Sequence, residues 1–115
     1  MQNQFRHLKE KWDKDRQERI RNSARIKQLI LDRGTAVFKK YGIAKAVIFG
    51  SLAEAKYSQT SDVDILVQDL SNQKYWEFKH ELEEALDIPV DLYTDKDESK
   101  FVSKILLRGV TIYEV

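Results

Sequence analysis

Ala46-Val47-Ile48-Phe49-Gly50-Ser51, followed after ten residues by Asp62-Val63-Asp64-Ile65-Leu66-Val67, holds two strand-like segments around which the rest of the chain is organised. The first is a short apolar run of the kind buried on both faces of a sheet, and Gly50-Ser51 closes it with a tight turn. The second is rich in β-branched residues, and a strand over 61–67 alternates with a period of two. Asp62 and Asp64 then share one face, while Val63, Ile65 and Val67 share the other. A third strand, Val90-Asp91-Leu92-Tyr93, starts after Pro89 and turns Asp91 away from its apolar neighbours.

Helical segments alternate with these strands. From Phe5 to Tyr41 the only breaker is Gly34, and Ile26, Leu29, Ile30, Gly34, Val37 and Tyr41 form one stripe at steps of three and four. The stretch from Asp13 to Arg25 offers only Ile20 and Ala24, so the first half of this helix is the more solvated, with i,i+4 pairs such as Glu10–Lys14 and Asp15–Arg19. Gly42 caps it after two lysines at the negative end of the helix dipole. A helix over 72–86, capped near Ser71 or Asn72, places Trp76, Leu82 and Leu86 at candidate core positions; a helix from about Lys96 to Leu107, Gly109 and a strand over 110–113 follow. The expected architecture is α/β (α+β): a small mixed sheet of about four strands flanked by helices, with a long N-terminal helix.

Composition narrows the chemistry. The 115 residues allow one domain, and 42% hydrophobic content is enough for a core despite 34% charged residues. Without cysteine there are no disulfides, no thiolate nucleophile and no thiolate zinc site, and two histidines make no metal cluster. No apolar run approaches the roughly 20 residues of a membrane span, so the expected location is the cytoplasm, with no membrane partner. Net charge is +1, yet residues 1–33 hold ten Lys/Arg against five Asp/Glu, leaving the remainder acidic.

Asp62, Asp64 and Asp91 lie inside apolar strand-like runs, where an ionised carboxylate is costly unless hydrogen-bonded, paired or metal-bound. No Lys or Arg stands within these runs to neutralise them, and Mg²⁺ binds carboxylates together with substrate phosphates, so a two-ion site is the natural chemical reading. The bland alternative is that these aspartates cap strand ends or face solvent. Gly50-Ser51 adds context, because glycine permits close backbone approach and the following amide and hydroxyl can donate to phosphate oxygens. Neither a Walker loop nor a dinucleotide fingerprint is present.

Phe49-Gly50-Ser51, ten residues, Asp62-Val63-Asp64, a helix and then Val90-Asp91-Leu92 resemble the minimal nucleotidyltransferases (MNT) of the DNA polymerase β superfamily, over about residues 44–93. Within it the similarity is to the MntA-like antitoxins of HEPN/MNT toxin–antitoxin systems. The resemblance implies a polymerase β-type nucleotidyltransferase fold in a single domain over 1–115, with a catalytic core at 44–93 and a basic helical extension at 1–33. It implies that Gly50 and Ser51 bind the nucleotide, that Asp62, Asp64 and Asp91 are catalytic and ligate two Mg²⁺ ions, and that ATP is the substrate. One ion would activate the incoming hydroxyl and the other neutralise the departing pyrophosphate. As a function it implies the antitoxin of a type VII HEPN/MNT module, an adenylyltransferase (AMPylator) that modifies a tyrosine of its HepT-like HEPN ribonuclease partner and forms a hetero-oligomer with it.

Many relatives have an Arg and a Gly soon after the Gly-Ser turn, whereas here the residues are Leu52-Ala53-Glu54-Ala55-Lys56. That departure motivates the alternative of a non-catalytic antitoxin that occludes its toxin. The segment from Arg6 to Arg33 reads as a solvated helix face or, with Phe5, Leu8 and Trp12, as a docking or self-association helix. Its interleaved Glu10, Asp13, Asp15 and Glu18 argue against direct nucleic-acid binding.

Overall fold

The structure, a computed structural model, describes the backbone of residues 2–58 and 61–115 and the side chains from Arg6 onward. The apolar run forms β1 (Lys45–Phe49), and the second segment forms β2 (Val63–Gln68), pairing antiparallel to it with Phe49 opposite Asp64. After Pro89, β3 (Val90–Thr94) lies parallel to β2, and β4 (Val110–Glu114) returns antiparallel to β1. The sheet is mixed and four-stranded, in the order β3-β2-β1-β4. The expected fold class is the observed one.

Period-two alternation sends the strands' side chains to two unlike faces. On one, Ile48, Val63, Ile65, Val67 and Leu92 merge with α1 (Gln2–Leu29), α2 (Thr35–Lys40) and α4 (Tyr75–Leu86) into the main core, which contains Ile26, Ile30, Phe38, Phe78 and Leu82. On the other, Val47 and Leu66 pack with Val102 and Ile105 of α5 (Ser99–Arg108), with Phe49, Tyr93 and Leu106 at the margin. α4 is the crossover that parallel pairing of β2 and β3 requires. Three contacts fix it: Tyr75 Oη donates to the Leu92 carbonyl at 2.7 Å, the Glu83 carboxylate accepts from the Val90 N–H at 2.8 Å, and Asp87 ends the helix with φ 56°.

The long N-terminal helix is interrupted by a π turn at Ile30–Gly34, a break that the 5–41 pattern marks only by its glycine. Of the stripe, Ile26, Ile30, Gly34 and Val37 are buried and Leu29 and Tyr41 half-buried, with Phe38 buried beside them, whereas Leu8, Trp12 and Ile20 are exposed. Phe5's side chain lies outside the described residues. Gly42 takes φ 67° at the predicted cap. Among the described residues no helix is long and apolar enough to cross a membrane.

Four expectations need correction. Trp76 is 73% exposed, because Phe78, Leu82 and Leu86 form the buried stripe of α4 and a residue two positions before Phe78 points about 200° away. Gly50-Ser51 opens a short helix, α3 (Gly50–Ala53), rather than a simple turn. α5 starts at Ser99, since Thr94 and Asp97 first close a turn (Thr94 N–H to Asp97 Oδ2, 2.8 Å). The pairs Glu10–Lys14 and Asp15–Arg19 are not closed: ion pairs among the described residues are Lys40–Glu81, Lys74–Glu77 and His80–Glu84. Exposed charges on a solvated helix gain little by giving up hydration.

Candidate active site

The site is built on the less covered face of the sheet. Register aligns Phe49, Asp64 and Asp91 in one row across β1, β2 and β3, and the next row, Val47, Leu66 and Tyr93, is the one that α5 covers. Asp64 and Asp91 are therefore direct neighbours on parallel strands at the end of the sheet that α5 leaves open. Asp62 sits just ahead of β2 and is exposed.

Gly50 comes into contact with this row. Its φ is 68°, and a Cβ at this position would run into Asp64 Oδ2. Only glycine meets both demands, a left-handed backbone and no side chain against the carboxylate. Behind it, α3 is tied down by Leu52, fully buried in the main core, and by Lys56 N–H donating to the Ser51 carbonyl at 2.8 Å. The Tyr57 N–H donates to Ser23 Oγ of α1 at 3.1 Å. Ser23 is a positioning residue that the sequence reading passed over; the available signal was a lone serine on the apolar stripe of a helix. Lys56 is exposed.

The electrostatics are those of crowded carboxylates. The Asp64 pKa is pushed up from 3.8 to about 6, first by burial, then by repulsion from Asp91, then by a hydrogen bond to Asp91 that favours the protonated form, and last by Asp62. The Tyr93 hydroxyl beside them is also raised, by burial and then by Asp91 and Asp64. Among the described residues no Lys or Arg forms an ion pair with Asp62, Asp64 or Asp91. The structure thus brings Asp64, Asp91 and Gly50 together and leaves Asp62 at longer range, and the described residues contain no closed group of three acidic or histidine side chains around one point. Hard carboxylate oxygens with unrelieved mutual repulsion fit a divalent cation such as Mg²⁺, which takes a few carboxylates plus substrate phosphates rather than an all-protein cage. The space that a Cβ at residue 50 would need is taken by the Asp64 carboxylate itself.

Comparison with known proteins bears on the family and the fold. The family model described as "Polymerase beta, Nucleotidyltransferase" matches residues 34–115. A Methanocaldococcus jannaschii protein named "Putative protein adenylyltransferase MJ1215" is 32% identical over 79 residues, covering 66% of this chain and 92% of that protein. Among solved structures, a toxin–antitoxin structure with AMP-PNP superimposes with a TM-score of 0.63 at 23% identity, covering 74% of this chain and 73% of that one. A chain from the complex of tri-AMPylated Shewanella oneidensis HEPN toxin with MNT antitoxin gives 0.57 at 23% identity, with coverage of 77% and 73%. At these identities the structural likeness is one of fold.

Proposed function

The chain belongs to the polymerase beta nucleotidyltransferase family and is a nucleotidyltransferase; from that premise we propose that it is an Mg²⁺-dependent protein adenylyltransferase, the antitoxin of a HEPN/MNT module, which transfers AMP from ATP to a tyrosine of a HEPN ribonuclease partner. The observation that carries this reading is the Asp64–Asp91 pair, held side by side by parallel strand register against the bare backbone of Gly50. Two like charges are kept together without a protein cation, an arrangement suited to a site that receives cations with its substrate. The resemblance of the relatives, named as protein adenylyltransferases, supports a protein acceptor.

Asp62, Asp64 and Asp91 would hold the metal. When bound, Mg²⁺ supplies neutralisation of phosphate charge and lowers the pKa of the attacking hydroxyl. Gly50 admits the α-phosphate beside Asp64, and the Ser51 hydroxyl donates to a phosphate oxygen. The tyrosine oxygen forms a bond to the α-phosphorus, the bond from that phosphorus to the bridging oxygen breaks, and pyrophosphate leaves. Asp91, exposed on its strand, accepts the hydroxyl proton.

The test is incubation with ATP, Mg²⁺ and the product of the neighbouring gene, read by intact mass. Addition of one or more AMP units to that protein is expected, and an unchanged mass overturns the reading. A second reading, neutralisation by occlusion, draws on the Leu52–Lys56 segment with neither arginine nor a second glycine. The double variant Asp62→Asn, Asp64→Asn separates the two: loss of neutralisation supports catalysis, and full neutralisation supports occlusion.

A further inference from the structure

Beside the carboxylates, between α3 and α5, lies a cavity of about 200 Å³ lined by Phe49, Gly50, Glu54, Phe101, Lys104 and Arg108 among others. Gly50 belongs to both places, since its missing Cβ makes room for Asp64 Oδ2 while its backbone lines the cavity. Lys104 and Arg108 are one helical turn apart on α5 and therefore present the same face to it. Among the described residues neither is in an ion pair, although Glu54 shares the cavity with them. A basic residue in the last turn of a helix complements the helix dipole, but that does not require two of them on one cavity wall.

The position of this wall is fixed. Gly109 follows Arg108, and a Cβ there would run into Val47 Cγ1 and lie 2.8 Å from the Ile48 carbonyl oxygen. The glycine lets the end of α5 press directly on β1, and its N–H donates to the Ile105 carbonyl at 2.7 Å. The cations are thereby held against the Phe49-Gly50 corner. No other basic residue enters from the corner itself: between Phe49 and Ala55 the chain has no Lys or Arg, and Lys56 is exposed.

We propose that Lys104 and Arg108 bind the β- and γ-phosphates of the nucleotide, so that the cavity between α3 and α5 is the site of the pyrophosphate leaving group. The α-phosphate lies at Asp64 and the rest of the polyphosphate passes over Gly50 to the two cations. A planar guanidinium and a point-charge ammonium together suit a chain of phosphate oxygens. Glu54 sets the net charge of the wall at one positive unit and weakens anion binding there. This inference rests on nucleotidyl transfer at Asp64 and Asp91 and is independent of which molecule accepts the nucleotide.

The experiment measures binding of inorganic tripolyphosphate and of AMP by calorimetry in the presence of Mg²⁺, using the full chain, its Lys104→Ala, Arg108→Ala double variant and Glu54→Gln. The double variant is expected to bind tripolyphosphate more weakly by about tenfold or more for each cation lost, with AMP affinity within about twofold of the parent. Glu54→Gln is expected to bind tripolyphosphate more tightly. Both cations are exposed, so the melting temperature is expected to stay unchanged. Equal tripolyphosphate binding by parent and double variant overturns the proposal, as does an equal loss of AMP binding, which places the base or sugar in the cavity. Tripolyphosphate binding that depends on Lys104 and Arg108, without AMP transfer to a partner protein, leaves this inference standing and defeats the proposed acceptor alone.

Discussion

The two faces of the β-sheet are made from the same four strands and obey the same alternation, yet one is sealed and the other is not. The sealed face packs Ile48, Ile65 and Val67 under α1, α2 and α4, with Phe78 and Leu82 fully buried. On the other, α5 covers the row of Val47, Leu66 and Tyr93 and reaches Phe49 of the adjacent row through Phe101, and that adjacent row ends in two carboxylates. Burial of apolar surface stabilises the first by roughly 25 cal/mol for each Å² removed from water. The second gives up that gain, and Asp64 adds an electrostatic cost on top. Stability and chemistry are thus separated by the thickness of a strand.

Phe78→Ala attacks the sealed face and has the largest expected effect, a loss of about 3–5 kcal/mol in urea unfolding, because Phe78 touches Phe38 and Tyr41 within the core and leaves a cavity. Transfer per folded molecule is expected to persist, and its loss would erase the separation between faces. Gly50→Ala attacks the open face. A positive φ and a methyl group against Asp64 together are expected to cost about 1–2 kcal/mol and to reduce nucleotide transfer well beyond any effect of partial unfolding.

The pH dependence sharpens the contrast further. Folding raises the Asp64 pKa from 3.8 to about 6, so the native state holds a proton that the unfolded chain has released in that window. The resulting destabilisation is absent below about pH 4, grows as pH rises and is complete above about pH 6. After allowance for solvent screening it amounts to about 1 kcal/mol. The metal-free protein is expected to melt higher at about pH 5 than at about pH 7.5, and Asp64→Asn is expected to flatten that slope and raise the melting temperature at the higher pH. Smallest is Trp76→Ala, on the outer side of α4 against Tyr75 and Lys79, expected within about 0.5 kcal/mol of the parent by thermal melting.

Much of this difference is legible in the residues. Strand alternation alone sets Asp64 against Ile65 and Asp91 against Leu92, and the glycine after Phe49 marks a close approach before any partner is known. Three things escape a reading along the chain. The side of α4 that carries Trp76 depends on which of several apolar spacings the sheet accepts, and Phe78, Leu82 and Leu86 win because they lie one helical turn apart. The convergence of Asp64 and Asp91 depends on strand order, which periodicity does not encode. The π turn at Ile30–Gly34 depends on how two helical halves settle on one core.

The parallel pairing of β2 with β3 also divides the site into a local and a non-local half. Gly50 and Asp64 meet through adjacent antiparallel strands, a contact of short range along the chain. Asp91 joins them across the α4 crossover, as β3 lies at the sheet edge, and that contact carries the closure entropy of a longer loop. The phosphate corner is thus local in the chain while its second carboxylate is not, so loss of β3 from the sheet edge removes Asp91 and leaves Gly50 and Asp64 together.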